Sequence, residues 1–261
     1  MKKDYVPVSA ADAAVSEDDY VHRYWTEKWS DPHLAVREDV TRSDVYRLIA
    51  PFARRLRPGA RILDGGCGTG AWTEHFRALG FATVGLDISG PTIERLRMVV
   101  PAGDWKVGDI RRTGFPDAEF DAYYSWGTFE HFECGLGDAI AEAYRLLKPG
   151  GLLFISVPFQ NWRHTFAASA IQDAQTSGPH RFYQWRLTDD ELRLELTLRG
   201  FRVLKTAPVS KIEGVTRWIR HDLRIVSEGS VLFKLMWRLF ARILPAAYVS
   251  HMILAVAERP A

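Results

Sequence analysis

Short apolar runs alternate with helical segments through most of the chain. The run 152–157 is almost continuously apolar, as expected of a strand that helices cover on both faces of a sheet. Residues 69–79 and 136–147 are predicted helices, and another begins near Pro91, a residue favoured in a first helical turn. The predicted strands begin at Arg61 and then cover 82–87, 105–108, 120–125 and 152–157. This alternation predicts an α/β fold with a doubly wound, mostly parallel sheet.

The C-terminal part of the chain departs from this regular alternation. Thr188 and Glu191 form a capping-box pattern that opens a helix ending at Gly200. Strands are predicted at 201–205 and 250–257. Two longer segments, 159–187 and 210–249, interrupt the pattern as insertions. We expect both to form part of an acceptor pocket or a lid, because ligands of open sheets bind outside the carboxyl ends of the strands. For 159–187 the alternative is an aromatic loop that packs on the domain edge.

A cluster of glycines follows the first predicted strand. The segment Asp64–Gly70 holds an acid and then glycine at every second position, and Asp87 stands at the tip of the next strand. Glycine lets the backbone approach a ligand closely, and a carboxylate at a strand tip can accept hydrogen bonds from ribose hydroxyls. No Arg or Lys stands between Asp64 and Glu74, so the loop suits a positively charged ligand better than a phosphate. The spacing also differs from G-x-G-x-x-G, which disfavours dinucleotide binding.

The glycine segment resembles the first motif, D-x-G-x-G-x-G, of the class I S-adenosylmethionine-dependent methyltransferases of small-molecule type. Three later segments, 108–110, 115–117 and 147–151, resemble further motifs of that family in the same order. The resemblance implies a Rossmann-like, doubly wound sheet of seven strands, mostly parallel, with the last strand antiparallel between strands five and six. It also implies S-adenosylmethionine as the cofactor.

The resemblance further implies which residues bind that cofactor. The glycine loop would hold the methionine end, Asp87 the ribose, and Asp109 the exocyclic amine of adenine. The full set of implied cofactor-binding residues is Asp64, Gly66, Cys67, Gly68, Gly70, Asp87, Ile88, Asp109, Ile110 and Ser125.

Methyl transfer from a sulfonium needs few catalytic groups, because positioning the acceptor in line supplies much of the acceleration. A hydroxyl acceptor usually also needs a base. His131, just past the fourth strand, is the candidate base; a hydrogen bond that holds the adjacent helix is its alternative role. Glu130 is a candidate for binding the methionine end or the acceptor. No residues have clustered metal-ligand spacing, so no metal is expected.

The predicted organisation is an N-terminal helical segment, 1–56, that covers the cofactor site, followed by a methyltransferase domain, 57–261. Aromatic residues Tyr20, Tyr24, Trp25 and Trp29 recur in the first segment at near-helical spacing. Simple packing of this helix on the core is the alternative to a covering role. A second helix is expected to start at Thr41.

Residues 231–244 are strongly apolar, yet Lys234, Arg238 and Arg242 repeat every four positions and share one helical face. A helix of this length spans only about 21 Å, which is too short to cross a bilayer. Three roles stay open for it: a lid or core helix of the 210–249 insertion, a peripheral membrane contact, and a contact between subunits.

Composition narrows the partners and the compartment. The net charge of +2 over 261 residues is too small to create a positive electrostatic field that would attract nucleic acid. The two cysteines are too few for a disulfide framework. The N-terminus carries no signal-peptide pattern, so we expect a cytoplasmic protein, with peripheral attachment at the inner face of the membrane as an option.

We therefore predict a methyltransferase acting on a small organic acceptor, such as a sugar, a lipid precursor or a secondary metabolite. In methyltransferases of DNA bases or glutamine amides, an N-P-P-Y motif follows the fourth strand. This chain has Ser125–Thr128 at that place, which counts against both kinds of acceptor. A non-catalytic S-adenosylmethionine-binding module and an NAD-dependent oxidoreductase are the alternatives. The pattern does not indicate whether oxygen, nitrogen or carbon is methylated.

Overall fold

The fold is that of a computed structural model, which describes residues 1–29, 39–164, 178–224 and 230–261. Its centre is a seven-stranded sheet, beside which lies a separate two-stranded sheet. The strands of the described residues are β1 (Lys2–Pro7), β2 (Arg61–Gly65), β3 (Ala82–Asp87), β4 (Asp104–Val107), β5 (Phe120–Trp126), β6 (Leu147–Pro158), β7 (His180–Arg186), β8 (Arg202–Val209) and β9 (Met252–Glu258).

The large sheet has the order β4-β3-β2-β5-β6-β9-β8. Strands β2 to β6 pair in parallel, whereas β9 pairs antiparallel with both of its neighbours, β6 and β8. This arrangement confirms the predicted sheet of seven strands, including the antiparallel last strand between strands five and six. The chain order reverses beside β2, so the ends of β2, β3 and β5 meet at a topological switch point.

Helices cover the two faces of the large sheet and extend from its ends. They are α1 (Ala10–Ala14), α2 (Glu17–Lys28), α3 (Asp44–Ala53), α4 (Ala71–Ala78), α5 (Gly90–Val99), α6 (Gly137–Leu146), α7 (Asp189–Leu198), α8 (Lys211–His221), α9 (Val231–Ile243) and α10 (Ala246–Val249). Short 3-10 turns lie at Val40–Arg42 and Phe129–His131. The capping box predicted for Thr188 and Glu191 is present at the start of α7.

Neighbouring residues of the central strands alternate between two cores. Leu63, Tyr123 and Leu153 join a cluster with the buried face of α6, while Ile62 and Phe154 join another with α3 and α4. A strand that is buried on both faces does not alternate between polar and apolar residues, which explains the continuously apolar run of β6.

The N-terminal segment is not wholly helical, so the prediction of a helical segment over 1–56 is wrong for its first residues. Lys2–Pro7 forms β1, which pairs antiparallel with β7. The partner lies more than 170 residues further along, and the short sequence of β1 carries no local pattern that reveals such a pairing. The helix expected from Thr41 begins instead at Asp44, because Ser43 Oγ accepts the Tyr46 amide at 3.0 Å and caps the helix.

Both insertions leave from the carboxyl edge of the large sheet. The insertion 159–187 ends in β7, a strand that the sequence pattern does not predict. Residues 165–177 of this insertion, including Phe166, lie outside the described residues. The second connects β8 to β9 through α8, α9 and α10, which confirms a helical insertion between the last two strands. Its residues 225–229 are likewise outside the described part. Within the described chain, no helix combines the length and apolarity that a membrane span requires.

Candidate active site

The glycine loop turns sharply at the end of β2. Gly66, Gly68 and Gly70 have φ angles of +77°, +50° and +74°, a region that other residues adopt only with strain. The amides of Gly66 and Cys67 both donate to the Leu86 carbonyl, at 2.8 and 2.9 Å, and tie the loop to β3. A Cβ atom at Gly66 would overlap the Thr128 side chain, so the loop also approaches the end of β5 closely.

Asp87 holds the loop from the tip of β3. Its carboxylate accepts the Gly68 amide and the Ser89 amide, each at 2.9 Å. Burial raises the pKa of Asp87, and these backbone donors oppose the shift. The carboxylate therefore fixes the loop and also borders the cavity beside it.

Asp64 lies behind the glycine loop and is 4% exposed. Its carboxylate accepts the Thr73 hydroxyl at 2.7 Å, and burial raises its pKa to about 6. The Cys67 side chain points into a core cluster with Leu96 and Trp105, and burial raises the pKa of its thiol. Neither side chain lines the cavity, so the structure gives both a role in supporting the loop.

The cavity lies where the carboxyl ends of β2, β3, β4 and β5 converge under α2. The sheet contributes side chains and backbone from several strand ends, and the N-terminal segment contributes apolar and aromatic groups. The lining residues are Val21, Trp25, Trp29, Gly66, Asp87, Ile88, Gly108, Asp109, Ile110, Trp126, Gly127, Thr128, His131 and Phe132.

Two tryptophans form the roof of this cavity. The ring of Trp29 lies on the glycine loop, since a Cβ atom at Gly68 would be 3.0 Å from it. Trp25 stacks on Trp29 with centroids 6.0 Å apart and meets the His131 ring at 4.8 Å. The hydroxyl of Thr26, between them in the sequence, donates to Ser89 at 3.1 Å. Helix α2 is therefore attached to both sides of the cavity.

Asp109 is engaged by an arginine two residues further along. Arg111 Nη2 lies 2.6 Å from the Asp109 carboxylate and 2.7 Å from that of Asp18 in α2. The guanidinium also lies over the Phe132 ring, 4.3 Å from its centroid. These contacts clamp α2 to the sheet edge and occupy much of the carboxylate that was expected to accept the adenine amine.

His131 and Glu130 form a buried pair, of which His131 lines the cavity and Glu130 does not. His131 Nδ1 lies 2.7 Å from the Tyr183 carbonyl oxygen. Because a carbonyl only accepts, Nδ1 carries the proton, and burial lowers the ring's pKa to about 4. The ring is therefore neutral near pH 7, with Nε2 3.8 Å from Glu130 Oε1.

Glu130 is 1% exposed, and its Oε2 has no hydrogen-bond partner among the described residues. Burial raises its pKa to about 8, so the carboxyl group is mostly protonated near pH 7. Gly127 borders both this group and the cavity: a Cβ atom there would lie 3.4 Å from Glu130 Oε1.

Comparison with known proteins decides the family. A family profile described as "Methyltransferase domain" matches residues 37–206, which is more than half of the chain. The chain belongs to the class I S-adenosylmethionine-dependent methyltransferases. Its cofactor is S-adenosylmethionine, and the NAD-dependent oxidoreductase alternative is set aside.

The methyltransferase resembles curated enzymes with different acceptors. A malonyl-[acyl-carrier protein] O-methyltransferase of Yersinia pestis is 35% identical over 38% of this chain and 36% of its own length. A ubiquinone biosynthesis O-methyltransferase of a Bradyrhizobium species is 31% identical over 51% of this chain and 55% of its own. The matched region thus spans only part of these relatives.

A solved structure supports the fold. The Burkholderia thailandensis 1,6-didemethyltoxoflavin-N1-methyltransferase, with 1,6-didemethyltoxoflavin and S-adenosylhomocysteine bound, superposes with a TM-score of 0.56. The match covers 100% of this chain and 96% of the other, at 19% identity. At that identity the likeness concerns the fold alone.

The predicted site residues of the methyltransferase separate into two groups. Gly66, Asp87, Ile88, Asp109 and Ile110 line the cavity, as does His131. The other predicted residues do not line the cavity: Asp64, Cys67, Gly68, Gly70, Ser125 and Glu130. Ser125, for example, donates its hydroxyl to the Gly65 carbonyl at 2.7 Å and ties β5 to β2.

Several lining residues were missed by sequence reasoning. Val21, Trp126, Gly127, Thr128 and Phe132 border the cavity without belonging to a recognised motif. The signal available for most of them was their position directly after the fourth strand of the parallel sheet, where ligand-binding loops begin. Within the described residues, no three His, Cys, Asp or Glu side chains are placed to hold a metal ion.

Proposed function

We propose that this methyltransferase moves a methyl group to an oxygen atom of a small lipid-precursor acceptor that carries a carboxylate. The observation that carries the proposal is the buried carboxyl group of Glu130 next to Gly127 of the cavity wall, whose Oε2 has no hydrogen-bond partner among the described residues. A protonated Glu130 donates a hydrogen bond, and a carboxylate acceptor supplies the matching acceptor atoms.

The cofactor's fit to the site rests on the cavity wall. The bound sulfonium supplies an activated methyl group. The glycine loop leaves room for the methionine end, because side chains at Gly66 and Gly68 would meet Thr128 and Trp29. The Asp87 carboxylate can accept hydrogen bonds from the ribose hydroxyls, and the apolar side chains of Ile88 and Ile110 can pack against the adenine ring.

Trp25 and Trp29 then cover the cofactor. Both line the cavity from the side opposite the strand ends, and α2 is fixed there by Arg111 and Thr26. A water-poor site favours transfer, since exclusion of water strengthens the orienting electrostatic contacts.

Near pH 7 the resting states of the Glu130–His131 pair are a mostly protonated carboxyl group and a neutral, weakly basic imidazole. The imidazole has a pKa of about 4 and the carboxyl group a pKa of about 8. A hydroxyl acceptor would need one of them to remove its proton. A carboxylate is already ionised, so in-line positioning suffices. The malonyl-[acyl-carrier protein] O-methyltransferases among the relatives support an acceptor of this class.

The test is methyl transfer from tritiated S-adenosylmethionine to a panel of acceptors: medium-chain and malonyl carboxylates, catechols, amines and sugars. We expect label in the carboxylates, and we expect mild alkali to release it as volatile methanol, which identifies a methyl ester. Alkali-stable label in a catechol, sugar or amine would overturn the carboxylate assignment while leaving the methyltransferase family intact.

A further inference from the structure

Helix α9 exposes a row of large apolar side chains. Five of its thirteen residues are apolar and more than half exposed: Val231 (74%), Leu232 (57%), Leu235 (59%), Leu239 (53%) and Ile243 (59%). From Leu232 onward the spacing is three, four and four residues, which places these side chains on one face of the helix. We name Leu232, Leu235, Leu239 and Ile243 the apolar stripe.

A separate face of the helix attaches α9 to the protein. Phe233 is buried against Val215 and Ile219 of α8, and Trp218 meets Phe240 edge-on at 4.8 Å. The Trp237 indole N–H donates to the Thr216 hydroxyl at 3.1 Å. The aromatic residues of the helix thus already serve the fold, and the apolar stripe takes no part in that packing.

A basic row runs beside the apolar stripe. Lys234, Arg238 and Arg242 are exposed and succeed one another every four residues. At about 100° per residue they lie roughly a quarter turn from the stripe, on the side away from the buried face. The helix contains no Asp or Glu, so its outer surface is apolar and cationic.

We propose that α9 binds the surface of an anionic lipid bilayer. A helix lying in the membrane interface buries an apolar face among the acyl chains and holds cations at the headgroups, as the stripe and the basic row would do. At about 20 Å the helix is too short to span a bilayer. The stripe is wholly aliphatic, whereas the centres of protein interfaces favour Tyr, Trp, Phe, Met and Arg, so a lipid surface fits better than a protein partner.

The position of α9 connects this surface with the cavity. The α8–α10 insertion leaves the sheet after Val209 and rejoins it at Met252, which pair with each other at the carboxyl edge. A Cβ atom at Gly127, on the cavity wall, would lie 3.5 Å from Met252 Cε. The insertion that carries α9 therefore rejoins the sheet at a residue that lies beside the cavity wall.

The test is flotation of the full chain with vesicles of phosphatidylcholine alone and with 30% phosphatidylglycerol added, a fraction of the order found in anionic bilayers. We expect flotation with the anionic vesicles, and its loss as salt rises. Lys234→Gln/Arg238→Gln/Arg242→Gln should weaken partition about 100-fold, since each of the three cations near the surface contributes about fivefold at low salt. Leu235→Ser/Leu239→Ser should weaken it at least tenfold.

Matched controls are Leu194→Ser/Leu198→Ser, on an equally exposed part of α7, and Arg54→Gln/Arg55→Gln. Both should float like wild type, and thermal melts should show every variant folded. Equal flotation of the α9 variants and the controls would overturn the proposal. So would a wild type that stays off anionic vesicles, or a dimer in light scattering that Leu235→Ser/Leu239→Ser converts to monomer without any vesicle binding.

Discussion

His131 Nδ1 donates to the carbonyl oxygen of Tyr183, a residue 52 positions further along the chain, at 2.7 Å. The bond fixes the imidazole tautomer and joins the end of the cavity to the two-stranded sheet of β1 and β7. His131 is thereby held as a neutral wall residue. The Tyr24 ring also meets Tyr183, at 5.8 Å, so α2 packs on the same point.

Replacing Asp87 should weaken cofactor binding. Asp87→Ala removes the carboxylate that holds the Gly68 amide and that we assign to the ribose. Loss of charge-assisted hydrogen bonds costs about 1.5–3 kcal/mol, or roughly 10- to 100-fold in Kd for S-adenosylhomocysteine by calorimetry. The control Asp117→Ala, whose side chain is 77% exposed, should bind normally. Unchanged affinity in Asp87→Ala would refute the ribose assignment.

Alanine variants of two glycines distinguish the cost of a positive φ from the cost of a clash between Cβ and a neighbouring side chain. Gly66 and Gly80 both have positive φ, +77° and +89°, but only at Gly66 would a Cβ atom overlap a neighbour, Thr128. Each alanine variant should lose about 1–2 kcal/mol of stability from the left-handed conformation, measured by urea unfolding. Gly66→Ala should lose more and should also bind S-adenosylhomocysteine at least tenfold more weakly. Equal behaviour of the two variants would remove the argument for close approach.

The roof of the cavity is tested at Trp29. Trp29→Ala removes the ring over the glycine loop, and we expect about a tenfold weaker Kd for S-adenosylhomocysteine, because aromatic contact area of this kind is worth on the order of 1–2 kcal/mol. Trp162→Ala is the control, since Trp162 is 58% exposed and does not line the cavity. Equal affinity in both variants would mean that α2 packs on the core without covering the cofactor.

The stability of the enzyme should report the burial of Glu130. The native carboxyl group has a pKa of about 8, above its unfolded value, so between about pH 4.5 and 8 the native state holds a proton that the unfolded state releases. Stability from this group is therefore complete at low pH and is lost as pH rises towards 8.

Glu130→Gln removes that titration, and urea unfolding of both proteins at pH 5 and pH 8 measures it. The wild type should lose a few kcal/mol relative to Glu130→Gln over this interval, because one proton contributes about 1.4 kcal/mol per pH unit. Parallel pH profiles for the two proteins would show that the carboxyl group ionises freely.

The sheet and the turn of the glycine loop were predictable because their signals are local. A strand, a glycine turn and an acid at the next strand tip fall within Arg61–Asp87, and each encodes its own backbone geometry. The partners and directions of the side chains are not encoded in such local signals. The motif marks Asp109, but it does not show that Arg111 holds its carboxylate, nor that Cys67 turns into the core.

The rest of the cavity wall depends on contacts between distant segments. Lys2–Pro7 becomes a strand only because β7 offers an edge, and Trp25 reaches His131 only once α2 is clamped by Arg111. Such pairings leave no periodic trace in a single sequence. The pattern of 231–244, by contrast, did indicate a helix with a basic face, and the structure adds which of its apolar residues remain exposed.

The pH dependence of methyl transfer tests the central claim most directly. With a carboxylate acceptor and a protonated Glu130 as hydrogen-bond donor, the single-turnover rate should stay level from pH 6 to 7 and fall as pH rises through about 8, the pKa of Glu130. Glu130→Gln, whose amide still donates, should keep the rate and lose the fall. A rate that instead climbs tenfold per pH unit to a plateau above pH 8, and collapses in Glu130→Gln, would make Glu130 a general base and contradict the account.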